Sequence, residues 1–281
     1  GLQIFLRAIV GGASLVLSDD RESVEQFLAR LRAHAVTHVT GTPSHWRRVL
    51  WSAASASISP RYVRMSGEVA NQATIDNLHA SYPSAKIVHA YASTEAGVCF
   101  EVDDEREGFP TSYLHEQRNG VEIKIEGDTL RVRSAGAASR YLGSMQGPIA
   151  GNDGFVDTGD VIAVDGERCY FAGRIGGIIN VGGLKVHPEE VEAVINSHPE
   201  VRMSLVRPKK SGVTGAIVVA DVVLARALDG GGSRTKDQSQ IEDEIRQLCR
   251  ERLANYKIPA MIFFVPSLPV AQSGKLQRPN A

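Results

Sequence analysis

The chain has 281 residues, 43% of them hydrophobic, and a formal charge of −1 from 31 basic and 32 acidic side chains. That length supports one large or two smaller domains with a proper core. The near-neutral balance gives no electrostatic reason to expect nucleic acid or a membrane surface as partner. The short basic tract at 207–210 reads as a solvated turn. Cys99, Cys169 and Cys249 are odd in number and widely spaced, with no Cys-x-x-Cys pair. This argues against a disulfide framework or a zinc site and fits a reducing, cytoplasmic setting. No run of about 18 apolar residues marks a transmembrane helix, and no signal peptide opens the chain. The first residue is Gly, and residues 1–10 read like the middle of a domain. An amino-terminal portion is therefore expected to precede them.

In chain order, residues 13–17 (Ala-Ser-Leu-Val-Leu) form an apolar run suited to a buried strand. Val24, Phe27, Leu28 and Leu31 then recur at helical spacing. Residues 36–40 are β-branched and predict a strand. Thr42-Pro43 supplies an N-cap and a first-turn proline for a helix through Trp46, Val49 and Leu50. Strands are expected at 62–65 and 86–91, separated by a helix that Asn71 caps. Repeated strand–helix units of this kind predict a mostly parallel sheet covered by helices.

After residue 98 the pattern changes. Gly127-Asp128 and Asp165-Gly166 sit between short alternating runs, which predicts two hairpins and an antiparallel, barrel-like subdomain. From residue 186 the chain is mixed again. Pro188 opens a helix, strands follow near 201–207 and 214–224, residues 229–238 read as a loop, residues 241–253 as a helix and residues 261–265 as a last strand. Overall this is an α/β chain, with a large domain followed by a small α+β one. Glycines crowd residues 173–177, which on sequence alone is either a hinge or an ordinary turn.

Four strings carry candidate chemistry. Tyr91-Ala-Ser-Thr-Glu-Ala-Gly97 follows a predicted parallel strand, where open α/β sheets bind ligands. It offers an aromatic ring, two hydroxyls and a carboxylate. Read alone, it is either a ligand-binding turn or a polar turn that Ser93 or Thr94 caps. Val156-Asp-Thr-Gly-Asp160 read alone is an Asx-type turn. Gly173-Arg174 leads through Gly182-Gly183 to Pro188-Glu-Glu-Val-Glu192, whose acidic residues suit the first turn of a helix. Ser273-Gly-Lys275 places a lysine after a flexible turn, free to reach an anion held elsewhere. The eight histidines form no metal-type cluster in the sequence.

Taken together and in this order, the four strings resemble the adenylate-forming acyl-CoA synthetase superfamily. The resemblance covers nearly all of the chain but only the latter part of the family's length. It implies residues 1–173 as the latter part of a large AMP-binding domain, a hinge at 174–177, and a small mobile domain at 178–281. By resemblance, Tyr91 stacks on adenine, Thr94 touches the α-phosphate, and Glu95 helps hold Mg2+. The turn at Gly67 and Glu68 edges the adenine, although Glu68 could equally be a helix-entry carboxylate. Asp160 accepts from the ribose hydroxyls, and Arg174 meets the nucleotide near the hinge. Lys275 neutralises phosphate and acid oxygens during adenylation. The loop at Gly182 and Gly183 lines a tunnel for the thiol of coenzyme A, or of a carrier-protein phosphopantetheine, and His187 could touch that thiol.

The implied substrates are ATP and a small carboxylic acid, with CoA or an acyl carrier protein as acceptor. A non-catalytic nucleotide-binding remnant is the alternative. Nothing in the sequence fixes the oligomeric state. Two departures from the family pattern stand out. No Gly- and Ser/Thr-rich phosphate loop ending in lysine occurs in the sequence, so the chain alone is expected to adenylate poorly. Gly176-Gly177 replaces the usual charged hinge pair.

Overall fold

The computed structural model describes residues 2–19, 22–141, 148–225, 237–270 and 275–278. A first helix, α1 (Leu2–Val10), leaves Phe5, Leu6, Ile9 and Val10 between 45% and 87% exposed. Arg7 ties it to Glu101 on a neighbouring strand. The strand expected at 13–17 does not form. The edge strand of the nearby sheet carries no added partner among the described residues, and Leu15 and Leu17 stay at the surface. An apolar run becomes a strand only where a neighbour satisfies its backbone.

Helix α2 (Val24–Ala33) opens with a capping box between Ser23 and Gln26. Strand β1 (His38–Gly41) leads into α3 (Pro43–Leu50), where the Thr42 hydroxyl accepts from His45 N as the N-cap. Strand β2 (Tyr62–Ser66), helix α4 (Gln72–Ser81), capped by Asn71, and strand β3 (Lys86–Ser93) complete the repeat. Strands β1, β2 and β3 are parallel, and β4 (Gly97–Val102) returns antiparallel beside β3. The core beneath them holds Phe27, Leu28, Trp46, Val49, Ile75 and Leu78.

His45 sets its ring edge-on to Phe27 at 4.8 Å. Burial, helped by Arg48, pushes its pKa down from 6.5 to about 4. The unfolded chain therefore binds the proton more tightly than the folded one. The contribution of neutral His45 to stability is complete above about pH 6.5 and is lost as pH falls toward 4. Denaturant titrations at pH 7 and pH 5 are expected to show a smaller acid loss for His45→Leu than for the parent chain.

The middle region is antiparallel, as its hairpin signals predict. Strands β5 (Phe109–Pro110), β6 (Val121–Glu126), β7 (Thr129–Ser134), β8 (Val156–Asp165) and β9 (Arg168–Arg174) lie in the order β5-β9-β8-β7-β6. The pairing stays open, since β5 has only two residues and does not meet β6. Gly127 and Asp128 both take positive φ, 60° and 67°, as a two-residue hairpin turn requires.

A second unit follows. Strands β10 (Ile179–Val181) and β11 (Leu184–Val186) form a hairpin. Strands β12 (Val201–Ser211), β13 (Gly215–Leu224) and β14 (Met261–Phe264) form a mixed sheet against α5 (Pro188–Ile195) and α6 (Gln238–Arg252). Val191, Ile195, Ile241 and Ile245 fill its core. Of the loop expected at 229–238, residues 229–236 lie outside the described residues, and Gln238 already opens α6. Among the described residues, no helix is long and apolar enough to cross a membrane. All three thiols are free and buried; burial raises Cys99 to about 12 and Cys249 to about 11, and shifts Cys169 upward too.

Candidate active site

A cavity of about 710 Å³ opens at the carboxyl ends of β2 and β3, where parallel sheets present ligand sites. The turn after β2 gives it Gly67 and Glu68, and β3 with its turn gives Tyr91, Thr94 and Glu95. Asp160 and Arg174 enter from β8 and β9, and Lys275 from the carboxy-terminal segment. Residues from distant strings thus share one wall-to-wall space. Gly182 and Gly183 do not line it. They turn between β10 and β11, with Gly182 N donating to Thr214 O at 2.9 Å and Gly183 N to Asn180 Oδ1 at 2.8 Å.

The Asp157–Asp160 stretch, read from the sequence as an Asx-type turn, lies within β8. It keeps turn-like side-chain bonds, with Gly159 N donating to Asp157 Oδ1 and Asp160 N to Thr158 Oγ1. The ladder shifts register beside it, which reconciles strand and turn. Asp160 accepts from the Tyr91 hydroxyl at 2.5 Å and from Arg174 Nε at 2.7 Å. Burial, then the Asp160 carboxylate, raises the Tyr91 pKa. The Tyr91 ring stacks on Phe171 at 4.9 Å and on Phe100 at 5.4 Å. The aromatic platform is therefore held rigid from inside the fold.

Ser93 Oγ accepts from Ala96 N, so the serine caps the turn while Thr94 and Glu95 face the cavity. Glu95 accepts from the Tyr141 hydroxyl at 2.9 Å. Burial alone would raise its pKa, but its own backbone N–H, Tyr141 and Arg174 together lower it. An ionised carboxylate in the cavity, without a metal-binding cluster among the described residues, suits one ligand position of a hard cation whose other ligands come from phosphate and water.

Residues passed over at the sequence level also line the cavity. Arg278 forks onto Glu192, Nη1 to Oε1 at 2.9 Å and Nη2 to Oε2 at 2.7 Å, and lies 3.4 Å from Glu189. Val206 N donates to the same Glu192 at 2.8 Å. Burial raises the Glu192 pKa, and the Arg278 fork opposes that shift. The carboxylates at the start of α5 are thus ties between elements, as the acidic first turn suggested. The available signal was Arg278 itself, placed three residues after Lys275. Lys275 differs from these paired groups. Its ammonium has no hydrogen-bond or ion-pair partner among the described residues, and its Cε stands 2.8 Å from where a Cβ on Gly67 would lie.

Comparison with known proteins gives the family of the chain. The family models for "AMP-binding enzyme" and "AMP-binding enzyme C-terminal domain" match residues 1–138 and 190–275. The chain belongs to the AMP-binding, adenylate-forming enzyme family. It is 28% identical to 4-coumarate–CoA ligase 1 of Arabidopsis thaliana over 72% of its own length and 38% of that protein's. It is 26% identical to 2-succinylbenzoate–CoA ligase of Bacillus pumilus over 99% of its own length and 57% of that protein's. The chain thus spans roughly half or less of these curated relatives. Among solved structures, the fold is similar to that of the anthranilate CoA ligase AuaEII in complex with anthranoyl-AMP. There the TM-score is 0.77 and the identity 20%, over 94% of this chain and 53% of that one. It is also similar to the o-succinylbenzoate CoA synthetase of Bacillus subtilis with its acyl-adenylate, at TM-score 0.70 and 23% identity, over 98% of this chain and 57% of that one.

Proposed function

We propose that this chain carries the adenylate-handling part of an AMP-forming acid–thiol ligase. The observation behind this reading is the Lys275 ammonium, without a partner among the described residues, standing in one cavity with Tyr91, Asp160, Arg174, Thr94 and Glu95. In the first step a carboxylate oxygen attacks the α-phosphorus of ATP, the bond to the β-phosphate oxygen breaks, and pyrophosphate leaves. Charge spreads over phosphate oxygens, so fixed cations and donors matter more than a nucleophile on the protein. Lys275 and Arg174 supply positive charge, Thr94 a hydroxyl donor, and Asp160 an acceptor for ribose hydroxyls. Glu95 would hold Mg2+, which supplies charge neutralisation at the phosphates.

In the second step a thiol attacks the acyl carbon and AMP leaves. Coenzyme A is the favoured acceptor, because the relatives named above are CoA ligases. For this step residues 178–281 rotate about 174–177 and bring Gly182 and Gly183 to the cavity. Neither Gly176 nor Gly177 has an atom within 4 Å of the place a Cβ would occupy, so side chains offer this turn no resistance. The buried free thiols suit a reducing, cytoplasmic compartment.

The test is carboxylate-dependent ATP–pyrophosphate exchange with aromatic, dicarboxylic, short-chain and long-chain acids. It is run on this chain and on the longest product of its reading frame. Exchange with one acid class is the expected result and names the substrate. Nucleotide binding without exchange, across the whole panel, would instead identify a non-catalytic binding module.

A further inference from the structure

The turn at Gly67 and Glu68, which the resemblance gives to the adenine edge, has both of its carboxylate oxygens committed elsewhere. Glu68 Oε2 accepts from Ser44 N at 2.9 Å, and Oε1 accepts from Leu276 N at 2.9 Å. Ser44 is the second residue of α3, so its N–H is one of the donors a helix start leaves unpaired. Helix α3 is itself packed into the core, with Trp46 and Val49 fully buried. One side of Glu68 is therefore anchored to rigid structure, and the other grips the residue next to Lys275.

Described residues on both sides of Lys275 are tied together. Val270 bridges to Leu276, and Gln277 N donates to Pro269 O at 2.9 Å. Fixing Leu276 thus fixes Lys275. Gly67 completes the fit from the other side. It has φ +88°, and a Cβ there would lie 2.8 Å from Lys275 Cε and 3.4 Å from its Nζ. The lysine stem occupies the space of the missing side chain. Arg278 holds Glu192, but both belong to the carboxy-terminal unit and would travel together. The Glu68–Leu276 bond joins that unit to the parallel sheet and must break if Lys275 leaves.

We propose that Gly67 and Glu68 form a docking cradle for the Lys275 segment, with Glu68 the positioning residue that sets how often the lysine stands in the cavity. This rests on the adenylation reading of Lys275. A carboxylate is required because two N–H groups converge on it. Glutamine offers one acceptor and one donor, so it satisfies only one of them.

The test reads amide hydrogen exchange at Leu276 in the unliganded chain. In Glu68→Gln, Leu276 is expected to exchange about tenfold faster or more, the loss of a charge-assisted hydrogen bond, while Ile245 and Cys249 in α6 keep their protection. Gly67→Ala, which fills the lysine's space without touching the carboxylate, is expected to speed Leu276 as well. On the longest product of the reading frame, Glu68→Gln is expected to lower ATP–pyrophosphate exchange about tenfold. Acyl transfer from a supplied acyl-adenylate to CoA should fall by less, so that the ratio of exchange to transfer drops below that of the parent. Unchanged Leu276 exchange in both variants, with α6 still protected, would overturn the cradle. Equal loss of both half-reactions would reduce Glu68 to a structural role. If the parent protein performs neither half-reaction, the adenylation reading fails, yet the exchange data still decide whether the cradle exists.

Discussion

Lys275→Ala is expected to cut carboxylate-dependent ATP–pyrophosphate exchange by about 10²–10³-fold, the usual cost of deleting one preorganised charge stabiliser. The ammonium lies in the cavity with no carboxylate partner among the described residues, so its removal frees no buried counter-charge. Folding stability should therefore change by less than about 0.5 kcal/mol, as at ordinary surface positions. The comparison residue is Arg174, whose Nε is bound to Asp160 at 2.7 Å. On the proposed reading, Arg174→Ala would lose a nucleotide contact and also release Asp160, so its effect should appear in nucleotide affinity as well as in rate. Exchange that survives Lys275→Ala within a factor of two would remove the central support for the proposed chemistry.

Gly108→Ala is expected to be the most damaging single-methyl change described here, destabilising the chain by about 3 kcal/mol or more. Gly108 has φ +70°, and an added Cβ would lie 2.2 Å from the backbone oxygen of Cys169. A carbonyl in a paired strand cannot swing aside as a side chain can. The adjacent Phe109 pairs with Cys169 across the ladder and is fully buried against Phe100, Tyr113 and Phe171. Phe100 and Phe171 support Tyr91, so strain at Gly108 should reach the cavity and weaken nucleotide binding. Gly127→Ala is the control. Its φ is +60° but nothing lies within 4 Å of the new Cβ, so it should cost only the backbone penalty of about 1–2 kcal/mol. Urea midpoints of the two variants, with unchanged m-values, separate clash from conformational cost.

Local signals were the legible part of this fold. Thr42-Pro43 and Asn71 announced helix starts, and Gly127-Asp128 announced a hairpin, because each depends on neighbours within a few residues. The strand expected at 13–17 failed because a strand also needs a partner, which composition does not supply. The cavity residues were legible as strings, but their mutual contacts were not. Glu68 meets Leu276 across 208 positions, and Arg278 meets Glu192 across 86. No periodicity encodes such pairings, so a carboxylate that clamps two backbone N–H groups reads in sequence only as a helix-entry residue. The Arg278 fork was hidden for the same reason, although its spacing from Lys275 was in plain view.

The three sequestered thiols make the chain a natural background for site-specific spectroscopic labels. Little thiolate forms at Cys99 or Cys249 near neutrality, since their pKa values stand at about 12 and 11, and reagents such as maleimides react through the thiolate. A cysteine introduced at Val213, which is 94% exposed in the turn beside the Gly182 loop, should therefore be modified selectively. A second one at Leu17, 71% exposed on the amino-terminal side, gives a dye pair without removing any native cysteine. Energy transfer between those two positions would test the proposed rotation of the carboxy-terminal unit directly, in single molecules, before any substrate is known.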